Sequence, residues 1–248
     1  MPERVASGVS RCDLLVFDLD GTLVDSQQDL ANAVNKTLAA LMRAGLPDEE
    51  IVGFIGEGAA TLLRRALDVS GGSTEAERQE ALQAFIAFYR RHKLDNTVPY
   101  PGVVPALESI RAAAPDLPMA VLTNKPVGPS IGICDGLGLS RYLFANFGGD
   151  SFQTKKPHPE GLQRLMQDAS VMLGRHVAPQ RTILVGDSHV DVETARAAGA
   201  LSIGCTYGLG PESLLAAQPD ALAHSPAEWL PALEALLASS QREATGSS

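Results

Sequence analysis

Short apolar runs alternate along much of the chain with segments whose apolar residues recur at helical spacing. The runs are bounded by polar or glycine residues and lie at 14–17, 119–123, 182–185 and 201–205, with a weaker one near Ala221. Helical spacing is found at 102–114, 127–137, 158–173 and 192–198. Apolar runs of this length are typical of buried parallel strands. Strands that alternate with helices predict an α/β fold with a doubly wound parallel sheet.

The connection between the first two predicted strands is too long for a simple crossover. It has about a hundred residues, whereas parallel strands can be joined by about a dozen. Residues 27–96 contain apolar positions at helical spacing and no convincing strand, and the segment 98–102 that follows has the two prolines and the glycine of a stiff linker. We therefore expect a small all-helical cap domain at 27–96, inserted after the first strand into a core domain formed by 11–26 and 97–238. The polar ends, 1–10 and 239–248, lack periodicity and are expected to form tails without regular structure.

Composition places the chain among ordinary globular proteins and limits its partners. The 248 residues are 45% hydrophobic, and 29 acidic residues against 20 lysines and arginines give a formal net charge of -9. This charge argues against nucleic acid or an anionic membrane as a partner. The three cysteines lie far apart without a CxxC pair, and no run approaches the ~18 apolar residues of a membrane span. The sequence favours a cytoplasmic protein that holds any anionic substrate by local positive charge or a metal.

Two carboxylates one residue apart follow directly on the first predicted strand. In this segment, Phe17-Asp-Leu-Asp-Gly, Asp18 and Asp20 project to the same side if the strand continues. Their like charges then raise each other's pKa and cost stability, which a bound cation relieves. Oxygen ligands of this kind select hard divalent ions, and magnesium is the expected one. The alternative for this segment alone is a strand followed by an ordinary Asp-Gly turn.

Three further segments place polar residues at strand ends or in front of helices. Thr123 and Asn124 follow the second predicted strand, so a hydroxyl, an amide and backbone N–H groups could face an anion there. Lys156 precedes another helix in a loop that prolines restrict. Asp187 and Asp191 follow the third predicted strand, four residues apart and able to share one face. Each could instead be a helix cap or a solvated side chain, but all converge where ligands of an open parallel sheet bind.

These segments resemble the four motifs of the haloacid dehalogenase superfamily. They are DLDGTLVDS at 18–26, Thr-Asn at 123–124, Lys156 before Pro-His-Pro, and GDSHVDVETARAAG at 186–199. The position of the insert is similar to that of members with a helical C1 cap, and the run of features is most similar to phosphoglycolate phosphatase-like members. The resemblance implies a Rossmann-like core and a magnesium-dependent phosphomonoesterase that acts on a small phosphorylated metabolite, with 2-phosphoglycolate as the leading candidate.

The resemblance also implies a role for each matched residue. Asp18 would attack phosphorus and form an aspartyl phosphate, while Asp20 would donate a proton to the leaving alkoxide and later accept one from water. The residues that would hold the phosphoryl oxygens are Thr123, Asn124 and Lys156. The implied magnesium ligands are Asp18, the backbone carbonyl of Asp20, Asp187 and, directly or through water, Asp191.

The insert contains a loop, Gly53-Phe-Ile-Gly-Glu-Gly58, that resembles the cap loop facing the core site in this subgroup. Gly56, Glu57 and Gly58 are therefore candidate substrate contacts, although the loop could merely join two helices. Glu57 departs from the subgroup, which commonly has a neutral polar residue there. An inward Glu57 would repel the carboxylate of 2-phosphoglycolate and favour a hydroxyl-rich or cationic substrate, unless Arg64 or Arg65 compensates.

Other functions stay open at this point. A sugar-phosphate phosphatase or a β-phosphoglucomutase-like phosphomutase would use the same architecture with cap groups that bind a sugar, and Glu57 leaves both open. A catalytically idle binding module is opposed by intact Asp18, Asp20 and Lys156. Asp20 also argues against carbon–halogen chemistry, which needs no acid for an alkoxide leaving group. The chain is expected to be a monomer or a homodimer.

Overall fold

A six-stranded parallel sheet lies at the centre of the computed structural model, which describes residues 8–245. The strands in chain order are β1 (Leu14–Phe17), β2 (Val24–Asp25), β3 (Val98–Pro99), β4 (Met119–Leu122), β5 (Ala145–Phe147), β6 (Thr182–Gly186), β7 (Leu201–Cys205) and β8 (Ala221–Ala223). Six of them pair in the order β5-β4-β1-β6-β7-β8, all parallel, and β2 pairs antiparallel with β3. The predicted α/β class with a parallel sheet is confirmed.

Helices fill the connections between the strands. In chain order they are α1 (Gln27–Ala40), α2 (Asp48–Val52), α3 (Ala59–Val69), α4 (Glu75–His92), α5 (Val103–Ala113), α6 (Val127–Gly136), α7 (Glu160–Leu173), α8 (His189–Ala198), α9 (Pro211–Ala217) and α10 (Trp229–Thr245). Helix α8 begins with a capping box of Ser188 and Asp191 and ends at Gly199 in the left-handed conformation. None of the described helices is both long and apolar enough to cross a membrane.

The two faces of the sheet bury separate apolar clusters, because successive side chains of a strand point to opposite faces. In β1, Leu15 and Phe17 pack with residues of α5, α6 and α10, whereas Leu14 and Val16 pack with residues of α7 and α8. Trp229, at the start of α10, lies against Phe17 with 5.1 Å between the ring centroids. Burial on both faces explains why β1 is an unbroken apolar run.

The helices α1–α4, here called the cap, lie between β2 and β3 and bury an apolar cluster of their own. At the base of the cap, β2 and β3 pair the entering chain with the leaving chain, Val24 opposite Pro99. The buried carboxylate of Asp29 in α1 accepts hydrogen bonds from the backbone N–H groups of Asn96 and Thr97 at 2.9 to 3.0 Å. These contacts fasten both ends of the cap to each other. The exact domain boundaries at 27–96, 11–26 and 97–238 stay predictions.

Sequence and structure differ at short elements and at the chain ends. The patterns do not predict β5, α9 or the β2–β3 pair, which are too short for a clear periodicity. The expected tails are wrong where they overlap the described residues, since Gly8–Arg11 is a 3-10 helix and α10 extends to Thr245. The end of α10 is rich in good helix formers despite its polar character. Residues 1–7 and 246–248, also predicted as tails, lie outside the described residues.

Candidate active site

Three neighbouring strands deliver the candidate residues to one edge of the sheet. The register pairs Phe17 of β1 with Val121 of β4 on one side and with Val185 of β6 on the other. The strands therefore end level with one another, and the chain continues past them into polar segments. The residues that follow these ends are Asp18 and Asp20 after β1, Thr123 and Asn124 after β4, and Asp187 after β6.

Asp18, Asp187 and Asp191 form an acidic cluster in which one carboxylate oxygen of each lies within 4.8 Å of the others. All three residues are buried. The ammonium group of Lys156, also buried, lies 2.9 Å from Asp18 Oδ1 and donates to Asp191 Oδ1 at 2.6 Å. The structure thus brings together four residues that are spread along the chain from Asp18 to Asp191. Such a meeting is expected where the strand ends of a parallel sheet lie side by side.

The charges of the acidic cluster are not balanced. Burial raises the pKa of Asp18 to about 6, although Lys156 opposes the rise. Burial and the carboxylates of Asp191 and Asp18 raise the pKa of Asp187 well above its ordinary value. Burial alone would lower the pKa of Lys156, but its ion pairs with Asp18 and Asp191 raise it instead. One ammonium group against three carboxylates leaves a surplus of negative charge that a cation would offset.

Two glycines clear the space that the buried carboxylates occupy. Gly21 has φ +84°, and a Cβ there would lie 2.1 Å from Asp187 Oδ2. A Cβ on Gly186 would lie 2.2 Å from Asp191 Cγ. Both distances are far below van der Waals contact, so a larger residue at either position would displace a member of the acidic cluster.

The donor set of the acidic cluster fits a hard divalent cation. It consists of carboxylate oxygens, which magnesium and calcium prefer and which zinc uses less often than nitrogen or sulfur. Within residues 8–245, this is the one place where three or more potential metal-binding side chains meet. Hydrogen bonds fix the carboxylates, since Asp187 Oδ2 accepts from Leu209 N at 2.7 Å and Asp191 Oδ2 accepts from Ser188 Oγ at 2.8 Å. Ser188, and not Asp187, is the N-cap of α8, so the alternative that Asp187 is merely a helix cap is wrong.

The Asp20 carboxylate lies outside the acidic cluster and has partners of its own. Lys125 Nζ lies 2.8 Å from both of its oxygens, and Ser26 Oγ donates to Oδ1 at 2.5 Å. Lys125 is buried, and its ammonium group lies 4.7 Å from the centroid of the Tyr89 ring on cap helix α4. Sequence reasoning missed Lys125 and Tyr89. The available signal was the position of Lys125 two residues after Thr123, at the same strand end.

Thr123 and Asn124 connect the core site to the cap loop. Thr123 is buried, and its hydroxyl accepts from Lys125 N at 3.2 Å. The Asn124 amide donates to the backbone carbonyls of Gly56 at 3.2 Å and Lys156 at 3.1 Å. Asn124 therefore links the Lys156 loop with the cap, in addition to the predicted contact with a phosphoryl group.

The cap loop reaches the core at its glycines, while Glu57 turns aside. Gly58 has φ +88°, and a Cβ there would lie 2.8 Å from the carbonyl oxygen of Asn124. Lys155 Nζ donates to the backbone carbonyl of Glu57 at 2.6 Å. The Glu57 carboxylate forms an ion pair with Arg65, and both side chains are about one-third exposed. Arg65 thus provides the compensation that the sequence left open between two arginines, since Arg64 pairs with Asp68 instead.

Two spaces share Asp20 as a lining residue. A small cavity of about 50 Å³ between cap and core is lined by Asp18, Asp20, Gly56, Gly58, Thr123, Asn124, Lys125, and the apolar cap residues Leu30, Ile55, Leu62, Phe85, Ile86 and Tyr89 among others. A wider cleft of about 560 Å³ is lined by apolar residues and by the polar residues Asp20, Glu57, Arg65 and Asp187 among others. The predicted cap residues are therefore divided, because Gly56 lines both spaces, Gly58 the cavity and Glu57 the cleft.

Residues 15–205 match the protein family described as haloacid dehalogenase-like hydrolase. The chain is 38% identical over 200 residues to a phosphoglycolate phosphatase of Colwellia psychrerythraea, and the match covers 79% of this chain and 85% of the relative. It is 40% identical over 204 residues to a phosphoglycolate phosphatase of Pseudomonas putida, covering 79% of this chain and 70% of the relative.

Solved structures with the same fold include a predicted phosphoglycolate phosphatase from Haemophilus somnus. The superposition has a TM-score of 0.80 at 30% sequence identity and covers 89% of this chain and 97% of the other. The similarity extends over cap and core, since only the remaining tenth of the chain is left out.

Proposed function

The chain belongs to the family of haloacid dehalogenase-like hydrolases and is a phosphoric monoester hydrolase, and we propose that it hydrolyses 2-phosphoglycolate through an aspartyl phosphate on Asp18, with magnesium as cofactor. The observation that carries the proposal is the division of labour at the strand ends. Asp18 lies inside the acidic cluster beside Lys156, whereas Asp20 lies two residues further on and outside that cluster. This separation supports Asp18 as the nucleophile and Asp20 as the group that transfers protons.

In the proposed first step, an Asp18 oxygen attacks phosphorus. An oxygen–phosphorus bond to Asp18 forms while the ester phosphorus–oxygen bond breaks, and the leaving alkoxide takes a proton from Asp20. Lys156 lies close enough to Asp18 to neutralise charge on the attacking carboxylate and the phosphoryl oxygens. Thr123 and Asn124, which line the small cavity together with Asp18, would hold the other phosphoryl oxygens.

In the proposed second step, water attacks the phosphorus of the aspartyl phosphate. Asp20, now a carboxylate, accepts a proton from that water, and the bond between phosphorus and Asp18 breaks to give phosphate and the free carboxylate. The same side chain therefore acts as acid and then as base. Because Asp20 lines both the small cavity and the wider cleft, leaving group and water can reach it through different spaces, which supports both roles.

The residues that would hold magnesium are Asp18, Asp187, Asp191 and the backbone carbonyl of Asp20. When bound, the ion would offset the repulsion between the Asp18 carboxylate and the anionic phosphoryl group. The surplus negative charge of the acidic cluster and its oxygen-only donor set support this assignment.

Two features support 2-phosphoglycolate as the substrate. The cavity beside Asp20 is small, at about 50 Å³, which suits a leaving group of a few atoms. The ion pair between Glu57 and Arg65 removes the unbalanced charge that would have repelled the carboxylate of this substrate. The relatives named phosphoglycolate phosphatase point the same way.

A sugar-phosphate phosphatase is the second candidate, and the wider cleft favours it. This cleft reaches Asp20 and carries the polar side chains of Glu57 and Ser188, which could hydrogen-bond to hydroxyl groups. A larger leaving group would fit there with its ester oxygen still within reach of Asp20.

The proposed location is the cytoplasm and the proposed assembly is a monomer or a homodimer. The location is supported by the three cysteines, which are buried free thiols. Burial raises the pKa of each to about 12, so they are protonated and unreactive at neutral pH.

Phosphate release from a panel of small esters tests the proposal. The panel contains 2-phosphoglycolate, ethyl phosphate, a hexose phosphate and p-nitrophenyl phosphate, each with magnesium and with EDTA. We expect magnesium-dependent release that is fastest with 2-phosphoglycolate and absent in Asp18→Asn. A hexose phosphate at the top of the ranking would favour the second candidate, and release by Asp18→Asn at the unaltered rate would contradict the mechanism.

A further inference from the structure

Lys125 is a buried cation whose partners belong to both halves of the site. Its side chain is 3% exposed. On the core side it binds both carboxylate oxygens of Asp20 at 2.8 Å. On the cap side it faces the ring of Tyr89 at 4.7 Å. No other lysine or arginine lines the small cavity between cap and core in the described part of the chain.

A lysine is rarely buried unless a carboxylate or another strong partner compensates its charge. The partner of Lys125 is Asp20, the side chain that must point at the leaving group in the proposed reaction. Apart from Lys125, the hydrogen-bond partner of the Asp20 carboxylate is Ser26, which holds only Oδ1. Without Lys125, the second oxygen of Asp20 would have nothing to hold it in the described structure, and the side chain could rotate away.

We infer that Lys125 is a positioning residue: it holds the Asp20 carboxylate at the cleft and, through the Tyr89 ring, ties that placement to cap helix α4. The inference rests on the proposed function, because it assigns a role in the proton transfers of that reaction. Lys125 does not touch the reacting phosphorus in this scheme. It acts through Asp20.

The physical reason lies in the geometry of proton transfer. An acid contributes only when it lies within hydrogen-bond distance of the leaving oxygen, and a displacement of about 1 Å can lower a rate by about 100-fold. Two contacts to both oxygens fix the rotation of a carboxylate better than one. Because Tyr89 belongs to the cap, movement of α4 away from the core would remove one side of the environment that stabilises Lys125.

A different role for the same cation is to bind the carboxylate of 2-phosphoglycolate. The two roles predict different kinetics. A substrate-binding lysine would raise KM for 2-phosphoglycolate and leave ethyl phosphate, which has no carboxylate, unaffected. A positioning lysine would lower kcat for both esters and change KM little.

The first experiment compares Lys125→Met with the unaltered protein on three esters. For 2-phosphoglycolate and ethyl phosphate we expect kcat to fall on the order of 10–100-fold. With p-nitrophenyl phosphate, whose leaving group needs no proton, the initial burst of p-nitrophenolate should keep a rate within about threefold of the unaltered protein. Lys36→Met, which removes an exposed lysine of α1, is the matched control.

The second experiment is a double-mutant cycle with Asp20→Asn. If Lys125 acts through Asp20, adding Lys125→Met to Asp20→Asn should change kcat by less than about twofold. A full further loss in the double variant would overturn the inference, because it would show an effect that does not pass through Asp20.

Tyr89 variants test the link to the cap and do not alter a charge at the site. Tyr89→Phe keeps the ring over the ammonium group, whereas Tyr89→Leu removes it. We expect Tyr89→Leu to lower kcat on the order of 3–10-fold relative to Tyr89→Phe, as a partly desolvated cation–π contact would. This pair also decides the question if Lys125→Met fails to fold, since equal kcat values would overturn the inference.

The outcomes separate this inference from the proposed function. No phosphate release from any ester by the unaltered protein would overturn the proposed function and this inference with it. Release by the unaltered protein, together with full kcat in Lys125→Met or a rise in KM for 2-phosphoglycolate alone, would overturn only the inference.

Discussion

The core half and the cap half of the site are held together in different ways. In the core half, buried carboxylates meet a buried ammonium group at the ends of three level strands. Two glycines, Gly21 and Gly186, lie so close to these carboxylates that a Cβ would not fit there. In the cap half, an apolar cavity wall faces Asp20, and the loop from Gly56 to Gly58 reaches the core through single hydrogen bonds. The first arrangement is rigid and highly charged, and the second is weakly fastened.

This difference assigns the chemistry to the core and the choice of substrate to the cap. A transition state whose charge changes needs groups that are fixed beforehand. A cap that must admit a substrate and release a product needs contacts that can be broken at small cost. Substitutions in the core half should therefore act on kcat and on metal binding, while those in the cap half should act on substrate ranking.

The largest effect is expected from Asp187→Asn. Mutation of a residue that hydrogen-bonds to a metal ligand commonly lowers metal affinity or activity by about 10–100-fold. Removal of a proposed ligand itself should therefore lower kcat/KM by about 100-fold or more. The same change removes a buried charge whose pKa is raised well above its ordinary value, so the metal-free protein should unfold at a higher temperature at pH 7.5. Steady-state kinetics and thermal unfolding measure both. Asp116→Asn, an exposed carboxylate, is the control, and a lower Tm in Asp187→Asn would contradict the account.

The next largest effect that we expect is a pH dependence of the rise in Tm that magnesium causes. Burial raises the pKa of Asp18 from 3.8 to about 6, so the folded protein holds this proton more tightly than the unfolded chain. The free energy of unfolding of the metal-free protein should then decrease as pH rises from about 4 through about 6. The difference between the folded and unfolded pKa values of Asp18 corresponds to a decrease of roughly 3 kcal/mol. Magnesium should raise Tm more at pH 7.5 than at pH 5. An equal rise at both values would show that the ion does not bind the acidic cluster.

A smaller effect is expected at the cap loop. Gly58→Ala would place a methyl group 2.8 Å from the Asn124 carbonyl and should push the loop off the core, lowering kcat/KM on the order of 10-fold. Gly72→Ala is a matched control, because Gly72 has a similar φ of +80° but nothing within 4 Å of the added carbon. Both variants should lose on the order of 1–3 kcal/mol of stability from backbone strain, since Gly58, at φ +88° and ψ 167°, lies in a region that essentially only glycine adopts. Equal kinetics for the two would remove the loop from the site.

The smallest effect is expected from the partly exposed pair of Glu57 and Arg65. Such pairs are worth about 0–1 kcal/mol, so Arg65→Met should change kcat/KM by about fivefold at most. The loss should be larger for 2-phosphoglycolate than for ethyl phosphate, because Glu57 is then unpaired beside an anionic substrate. Adding Glu57→Gln should restore the original ranking. If Glu57→Gln alone reorders the panel, then Glu57 selects the substrate directly.

The core half could be predicted from sequence because its residues lie next to strong patterns. Asp18 and Asp187 directly follow strands that read as unbroken apolar runs, and the register of a parallel sheet then brings them together. Strand β5 has no clear sequence pattern, because its three residues are only partly buried and include Asn146. Residue type allows Asp187 to be a helix cap, and the backbone conformation shows that Ser188 holds that position instead.

The cap half could be predicted only in outline, since its contacts depend on how two units approach each other. Lys125 pairs with a residue 105 positions away and faces a ring on a cap helix, and neither contact leaves a local pattern. A lysine is exposed in most proteins, so its residue type argued against a buried role. The pairing of Glu57 with Arg65 rather than with the substrate also depends on a helix orientation that spacing alone does not give.

The most direct test of the account is to trap phosphate on Asp18. The protein is mixed with phosphorus-labelled 2-phosphoglycolate and magnesium, quenched with acid within a turnover, digested and mapped by mass spectrometry. We expect a hydroxylamine-sensitive phosphoryl group on the peptide that contains Asp18, and none in Asp18→Asn. Turnover of the ester with the Asp18 peptide unlabelled, or with the label on another residue, would contradict it.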